Sequence, residues 1–343
     1  MNASLFPKSF FSSPFRPARG LENPHLQTVF ATLHRRRPPQ LLRLRREIML
    51  PDGDHILLDC HMPSQPDTGA PLTLIIHGLG GSSDSHYVLG LQKALALRGW
   101  PSAAMNCRGS RRPNQATRAY HAGASDDVIS VLNVLASEEP QRKIALAGYS
   151  LGGSMVLKAL SELGDDARLF GGIAVSVPLD LARCADRMDR GLSRAYRKHL
   201  LDGMGELWRA KIRFFRQTGR MEEARLLLKH VGSGRFRSFW EFDQQVMAPL
   251  HGFTDVHDYY RSCAPNRFLS GIRAPTLIIH STDDPFMDPG VVPGTEHLSA
   301  AIHFELAGRG GHVGFIGGSL RRPVYYLEER IPEFLMHLRR AGS

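Results

Sequence analysis

The sequence is poor in cysteine and has no long apolar run, and each absence excludes a class of protein. Only four cysteines occur in 343 residues: Cys60, Cys107, Cys184 and Cys263. Their wide spacing forms neither the paired ligands of a zinc site nor a disulfide framework, so we expect free thiols in a reducing compartment. No window approaches the roughly 20 uninterrupted apolar residues of a membrane span. The first 20 residues also lack the continuous apolar stretch of a signal peptide. We therefore expect a soluble, cytoplasmic protein.

Phosphate-binding glycine motifs are missing as well. A glycine-rich segment, residues 77–81 (His-Gly-Leu-Gly-Gly), follows an apolar run. It does not have the Gly-x-Gly-x-x-Gly spacing of dinucleotide-binding loops, and no Walker lysine follows it. We therefore expect no nucleotide, no other cofactor and no metal ion.

Acidic side chains are fewer than basic ones. The 43 Lys and Arg residues and the 33 Asp and Glu residues give a net charge of +10. A basic balance favours anionic partners such as acidic phospholipid, nucleic acid or an anionic substrate. It also occurs in arginine-rich soluble proteins that have no such partner. We expect no more than peripheral contact with an anionic membrane, and we do not expect nucleic acid as the partner. The sequence indicates no oligomeric state.

A Gly-x-Ser-x-Gly pentapeptide, residues 148–152, is the stretch around which the chain is organised. It lies between a short apolar run, residues 144–147, and a segment with helical apolar spacing that ends at Gly164. This context predicts strand, tight turn and helix, which is the setting of a nucleophile elbow. Glycines two residues before and after the serine let the strand and the helix approach each other. We therefore predict that Ser150 is a nucleophile, although the pentapeptide alone also fits a glycine-rich turn.

Strand-like and helix-like segments alternate along most of the chain. A β-hairpin around residues 51–54 comes first, and the candidate strands that follow occupy residues 72–76, 102–105, 143–147, 172–177 and 275–279. This alternation predicts an α/β fold, specifically a mostly parallel sheet with helices on both faces. We expect the last strand at residues 301–306 and a closing amphipathic helix at residues 322–340.

The alternation stops near residue 178 and resumes near residue 274, with an arginine-rich and aromatic stretch between. The predicted regions are an N-terminal arm at 1–40, a core at 41–178 and 266–343, and a helical cap or lid at 179–265. The alternative is that these helices belong to the ordinary wrapping of the sheet. Six aromatic side chains of the cap suggest an acyl-chain pocket or, equally, core packing: Phe214, Phe215, Phe236, Phe239, Trp240 and Phe242.

Two loops after late strands supply the partners that a nucleophilic serine needs, a general base and a carboxylate that orients it. One loop contains Asp283 and Asp284, and the other contains His312 beside glycines. We predict His312 as the base and favour Asp284 over Asp283 as the carboxylate, with Asp283 bracing the turn. The backbone N–H groups of Leu79 and Leu151 are the predicted oxyanion donors.

Several short motifs extend from the N-terminal arm to the last loop. They are residues 23–28 (Asn-Pro-His-Leu-Gln-Thr), 77–81, 106–110, 148–153, 248–253, 258–260, 282–286 and 310–315. Together they resemble the YheT-like branch of the α/β-hydrolases, which is related to the ABHD lipid hydrolases. The resemblance implies an α/β-hydrolase fold with a helical cap, a Ser150–Asp284–His312 triad and activity on acyl esters. The place of His25 in the first motif suggests that it braces the edge of the site.

These observations favour a cofactor-independent serine esterase or lipase-like enzyme acting on a small or lipid-like carboxylic ester. An acyltransferase with the same triad is one alternative, because the sequence does not tell whether water or an alcohol accepts the acyl group. A hydrolase-fold protein without activity, binding anionic lipid or nucleic acid through its basic cap, is the other. The substrate's chain length and headgroup are not indicated.

Overall fold

The computed structural model describes residues 10–35 and 40–342, so parts of the predicted arm at residues 1–40 lie outside the described residues. The strands are β1 (Phe10–Ser12), β2 (Leu44–Met49), β3 (His55–His61), β4 (Leu72–Ile76), β5 (Ser102–Asn106), β6 (Ile144–Tyr149), β7 (Leu169–Val175), β8 (Thr276–Ser281), β9 (Ile302–Ala307), β10 (Ile316–Ser319) and β11 (Arg322–Tyr325). The helices are α1 (Pro24–His34), α2 (His86–Ala96), α3 (Ser125–Glu138), α4 (Leu151–Leu163), α5 (Leu181–Met188), α6 (Ser193–Gln217), α7 (Met221–Val231), α8 (Phe239–Phe242), α9 (Ala248–Leu250), α10 (Val256–Cys263) and α11 (Tyr326–Gly342). A π-helical turn, Asp243–Met247, joins α8 to α9, and short 3₁₀ turns lie at Pro265–Arg267, Leu269–Gly271, Pro289–Val291 and Thr295–His297.

Nine strands form the main sheet in the order β1-β9-β8-β7-β6-β4-β5-β3-β2. The first seven strands of this order, from β1 at one edge to β5, pair in parallel. Near the other edge, β3 pairs antiparallel with both β5 and β2, so β3 alone runs opposite to the rest of the sheet. The central strands are buried on both faces, which is why they are continuous apolar runs rather than alternating ones. The sequence prediction of an α/β fold with a mostly parallel sheet is therefore confirmed.

The hydrophobic core has one layer on each face of this sheet. On one face, α3 and α4 pack against the sheet through residues such as Val128, Leu132 and Met155. On the other face, α2 and α11 pack through residues such as Leu91 and Phe334. Since both faces are covered, the strand ends are the part of the sheet left for polar loops.

Two expectations about the C-terminal end of the chain are wrong. The strand at residues 302–307 is followed by a β10–β11 hairpin, and the closing helix starts at Tyr326 because residues 322–325 pair with β10. Within the predicted N-terminal arm, β1 adds a parallel edge strand to β9, which the sequence analysis did not predict. A three-residue strand carries too little periodicity to be recognised in a sequence.

Helices α5 to α10 lie between β7 and β8 and are called here the helical insertion, residues 181–263. They enclose a third core of their own, which contains Trp208, Phe215 and Leu227. A buried polar network fixes this unit to the strand ends, because Lys211 Nζ on α6 donates to Asn114 Oδ1 at 2.7 Å. Asn114 also contacts Asp54, whose carboxylate pairs with the buried Arg108. Within the described residues, no helix has the length and apolar composition needed to cross a bilayer.

Candidate active site

Ser150 lies at the sharp turn between β6 and α4. Its backbone has φ 51° and ψ −122°, a conformation that side-chain-bearing residues rarely adopt. A Cβ at Gly148 would lie 2.3 Å from the Gly152 carbonyl oxygen, and a Cβ at Gly152 would lie 2.4 Å from the His77 carbonyl oxygen. The two glycines are therefore needed for the strand and the helix to meet at the serine.

A continuous hydrogen-bonded line joins three side chains from three strand ends. Ser150 Oγ lies 3.0 Å from His312 Nε2, and His312 Nδ1 lies 2.8 Å from Asp284 Oδ2. The second carboxylate oxygen of Asp284 accepts from the Phe286 backbone N–H at 2.8 Å. Asp284 and His312 are 3% and 8% exposed, so solvent barely competes for their contact. In this geometry, the carboxylate orients the imidazole and the imidazole can take the serine proton.

The loop that carries the histidine is held by side chains from three other elements. The backbone N–H groups of Gly311, His312 and Val313 donate at 3.0 Å to Asp283 Oδ1, Thr28 Oγ1 and Ser176 Oγ respectively. These acceptors come from the loop after β8, from α1 and from the end of β7. Asp283 thus contacts the backbone of the loop, whereas Asp284 contacts the imidazole.

The segment after β4 contains a backbone N–H group that has no acceptor within the described residues. The Gly78 N–H donates to the Tyr87 hydroxyl at 3.1 Å, and the Gly80 N–H donates to the Tyr120 hydroxyl at 2.8 Å. The N–H of Leu79, between them, has no acceptor within the described residues. Leu151 is the first residue of α4, so its N–H has no acceptor inside the helix either. Both residues line the same cavity as Ser150.

His77 stabilises this segment without facing the cavity. Its Nδ1 lies 2.7 Å from the Gly78 carbonyl oxygen, and its Nε2 accepts from the Cys107 backbone N–H at 3.2 Å. Burial lowers the pKa of His77 to about 4, which keeps the ring neutral and able to donate from one nitrogen while accepting at the other.

A row of rings connects the N-terminal helix to the histidine. Phe286 stacks on the His312 ring with centroids 3.9 Å apart, and Tyr196 of the helical insertion packs against Phe286 at 5.0 Å. His25 of α1 in turn stacks on Tyr196, and its Nδ1 lies 3.2 Å from the Tyr196 hydroxyl. His25 therefore braces the edge of the site through two other rings and does not reach the serine.

A cavity of about 740 Å³ extends from Ser150 into the helical insertion. Its inner part is lined mainly by apolar side chains of the insertion: Leu181, Ala185, Met188, Met204, Phe239, Phe242 and Met247. Its solvent end is lined by Thr32 and His199, which are exposed. Apolar pockets of this size hold drug-sized or short lipid-like molecules.

The structure brings together the side chains that the sequence analysis singled out at strand ends. Of the six cap aromatics, only Phe239 and Phe242 line the cavity. For the other four the core-packing interpretation holds, since Phe215 is fully buried in the insertion and Phe214, Phe236 and Trp240 pack against that core. The sequence analysis missed Tyr87, Tyr120 and Ser176, for which no local pattern gave a signal.

The four cysteines are unpaired, and the described residues contain no cluster of three His, Cys, Asp or Glu side chains that could hold a metal ion. The polar groups around Ser150 instead pair with one another or with backbone groups, as described above.

Comparison with known proteins places this arrangement in a family. Residues 71–319 match the family model described as alpha/beta hydrolase fold. The chain is 39% identical to YheT of Escherichia coli strain K12, across 94% of this chain and 93% of that protein. It is 24% identical to phospholipase ABHD3 of Homo sapiens, across 90% of this chain and 75% of that protein.

Solved structures agree with the fold. The alpha/beta hydrolase GrgF from a Penicillium species superposes with a TM-score of 0.55 at 17% identity, covering 87% of this chain and 99% of that one. The matched family model covers both the strands and the loops that carry Ser150 and His312. The chain therefore belongs to the α/β-hydrolase family, in its YheT-like, esterase- and lipase-type branch.

Proposed function

We propose that the protein hydrolyses carboxylic esters through an acyl-enzyme formed on Ser150. The observation that carries this proposal is the line from Ser150 Oγ through His312 to Asp284, at 3.0 and 2.8 Å, at the base of an apolar cavity. A purely structural role would not require a strained serine, an imidazole and a buried carboxylate to be hydrogen-bonded in this order.

In the first half-reaction, His312 takes the hydroxyl proton while Ser150 Oγ attacks the ester carbonyl carbon. The oxyanion that develops accepts from the N–H groups of Leu79 and Leu151, and the positive end of α4 adds to its stabilisation. His312 then gives the proton to the leaving alcohol. In the second half-reaction, a water molecule attacks the acyl-enzyme by the same route and releases the acid, which makes the activity a carboxylic-ester hydrolase.

A fluorophosphonate probe tests the proposal directly, because it reacts with activated serines. We expect labelling of the purified protein, loss of labelling in Ser150→Ala, and retention in the matched control Ser154→Ala, whose side chain is buried four residues along α4. A p-nitrophenyl ester series would then give the preferred chain length. Equal labelling of wild type and Ser150→Ala would contradict the proposal.

The choice between water and an alcohol as acceptor is measured in the same assay. We expect free acid to remain the main product when a primary alcohol is added at millimolar concentration. Predominant formation of the new ester would show a transferase instead.

We also propose that the rim of the cavity contacts anionic lipid surfaces. A groove beside the rim shares His199 and Gly203 with the cavity and is lined by basic side chains. Among these, Arg194, Arg235 and Arg237 make no ion pair within the described residues. Unpaired cations near a lipid-sized cavity favour an anionic headgroup layer.

Vesicle sedimentation tests this contact. We expect binding to phosphatidylglycerol vesicles that weakens with added salt, and little binding to phosphatidylcholine vesicles. Replacing Arg194, Arg235 and Arg237 by Gln should remove binding. Replacing Arg225, which pairs with Glu222 on α7, should have little effect. Equal binding by the triple variant would overturn the proposal.

A further inference from the structure

The inner part of the cavity contains one carboxyl group in a mainly apolar wall. It belongs to Asp243, the first residue of the π-helical turn Asp243–Met247, and it is 8% exposed. The other carboxyl that lines the cavity, Asp84, is at the solvent end and pairs with Arg43 and Arg111. π-Turns inside α-helical segments are frequent at functional sites, since they redirect a side chain at the cost of regular hydrogen bonding.

Asp243 has no cationic partner within the described residues. Its Oδ2 accepts from the Tyr260 hydroxyl at 2.7 Å, and its Oδ1 has no hydrogen-bond partner among the residues that the structure describes. Burial raises the pKa of Asp243 to about 7. At neutral pH a large share of this carboxyl is therefore protonated, and it can both donate and accept a hydrogen bond.

Two neighbouring polar side chains of the inner wall accept hydrogen bonds from backbone groups. The Tyr259 hydroxyl accepts from the Ala122 backbone N–H at 3.2 Å, and His121 Nδ1 accepts from the Gly123 backbone N–H at 3.1 Å. Asp243 differs from both in being the carboxyl group of this inner wall, and its Oδ1 has no hydrogen-bond partner within the described residues.

We propose that Asp243, held by Tyr260, is a recognition point for a hydroxyl group on the substrate chain that occupies the inner cavity, remote from the ester carbon. This inference rests on the proposed ester hydrolysis at Ser150. A purely hydrocarbon chain would cover the carboxyl without giving it a partner, whereas a hydroxyl on that chain would satisfy it. Sites built to hydrogen-bond a substrate hydroxyl discriminate strongly against the analogue that lacks it.

Matched ester pairs test the recognition point. In one arm, p-nitrophenyl esters carry a hydroxyl at successive positions of the acyl chain. In the other arm, the hydroxyl is on the alcohol of a hexanoate ester. Each compound is paired with the analogue in which a methyl group replaces the hydroxyl. For wild type we expect kcat/KM to favour the hydroxyl compound by about 10- to 100-fold at one chain position, in one of the two arms.

Two substitutions of Asp243 separate recognition from structure. Asp243→Leu should remove the preference and reverse it toward the methyl analogue, because the cavity wall becomes apolar. Asp243→Asn should keep a substantial part of the preference, since the amide still donates and accepts. Asp202→Leu, which replaces an exposed carboxyl of α6, should leave the ratio unchanged. Thermal unfolding of each variant checks that it is folded.

Failure of the recognition point can be distinguished from failure of the proposed ester hydrolysis. Wild type that turns over p-nitrophenyl acetate but shows no hydroxyl preference in either arm would overturn the recognition point and leave ester hydrolysis standing. An unchanged ratio in folded Asp243→Leu would also overturn it, as would a stronger preference for ammonium-bearing chains than for hydroxyl-bearing ones. Absence of both acetate turnover and probe labelling would instead reject the proposed hydrolysis.

Discussion

The cavity has two walls that are built by different means. On the sheet side, Ser150, Asp284 and His312 follow strand ends, and hydrogen bonds to backbone groups hold their loops. On the side of the helical insertion, the wall consists mainly of apolar side chains such as Met204 and Phe242, which are held by packing. Under the proposed ester hydrolysis, the sheet wall would determine which reaction is possible, and the insertion wall would determine which substrate chain fits.

The largest expected effect comes from comparing one histidine in each wall. His312→Gln removes the base from the sheet wall, so we expect kcat for a p-nitrophenyl ester to fall by about 10⁴-fold or more. His199→Gln changes an exposed side chain at the rim of the insertion wall. We expect it to change kcat by less than about threefold. Stopped-flow or steady-state absorbance measures kcat for both variants. Comparable losses of kcat in the two variants would show that the two walls do not differ in their roles.

The two adjacent aspartates, Asp283 and Asp284, can be compared with each other within the sheet wall. Asp284→Asn should favour the wrong tautomer of His312, and we expect a loss of about 10²- to 10⁴-fold in kcat. Asp283→Asn leaves the imidazole contact and still offers an oxygen to the Gly311 N–H, so we expect a loss of less than about tenfold.

Burial raises the pKa of Asp283, because the charged carboxylate is partly desolvated there. The neutral amide of Asp283→Asn does not carry this desolvation cost. Retained folding of both variants is checked by circular dichroism. If Asp283→Asn proved the more damaging substitution, the assignment of Asp284 as the orienting carboxylate would be wrong.

A volume change in the insertion wall should alter selectivity rather than chemistry. Ala185→Phe adds a ring to a buried position of α5 that lines the inner cavity. We expect the ratio of kcat/KM for p-nitrophenyl octanoate to that for the acetate to fall by about 10-fold or more, because the ring occupies space that the longer chain needs. A ratio equal to that of wild type would show that the chain binds elsewhere.

The sheet wall could be predicted from the sequence because its residues are tied to strand ends. Parallel strands bring their carboxyl ends to one edge, so a Gly-x-Ser-x-Gly turn and two later polar loops must converge there. The choice of Leu79 as an oxyanion donor remains a prediction, now with a physical basis, since hydroxyls of Tyr87 and Tyr120 occupy the N–H groups on either side.

The insertion wall could not be predicted in the same way. Helical periodicity indicates that a residue is buried, but not whether it faces a cavity or another helix, which is why Phe215 and Phe242 were indistinguishable in the sequence. Contacts between residues that are far apart in the sequence could not be predicted either. Thr28 reaches the backbone of His312, 284 positions along the chain, and no local pattern indicates that contact.

The smallest expected effect concerns stability, and it tests whether the insertion wall tolerates a buried carboxyl only in its protonated form. The pKa of Asp243 is raised to about 7 by burial, above the ordinary value of 3.8 that it regains on unfolding. Between these values the unfolded chain releases the proton while the folded protein keeps it, so the group's contribution to stability is lost as pH rises toward and through 7.

Asp243→Asn cannot ionise, so its free energy of unfolding relative to wild type should increase from pH 5 to pH 8, by at most about 1.4 kcal/mol per pH unit. Other groups with a shifted pKa are present in both proteins, including Lys211, whose pKa burial lowers to about 7. Their contributions cancel when the unfolding free energies of the two proteins are subtracted. Urea unfolding at several pH values measures this difference. A constant difference would mean that Asp243 is ionised throughout, and the group in the cavity wall would then be a carboxylate suited to a cation rather than to a hydroxyl.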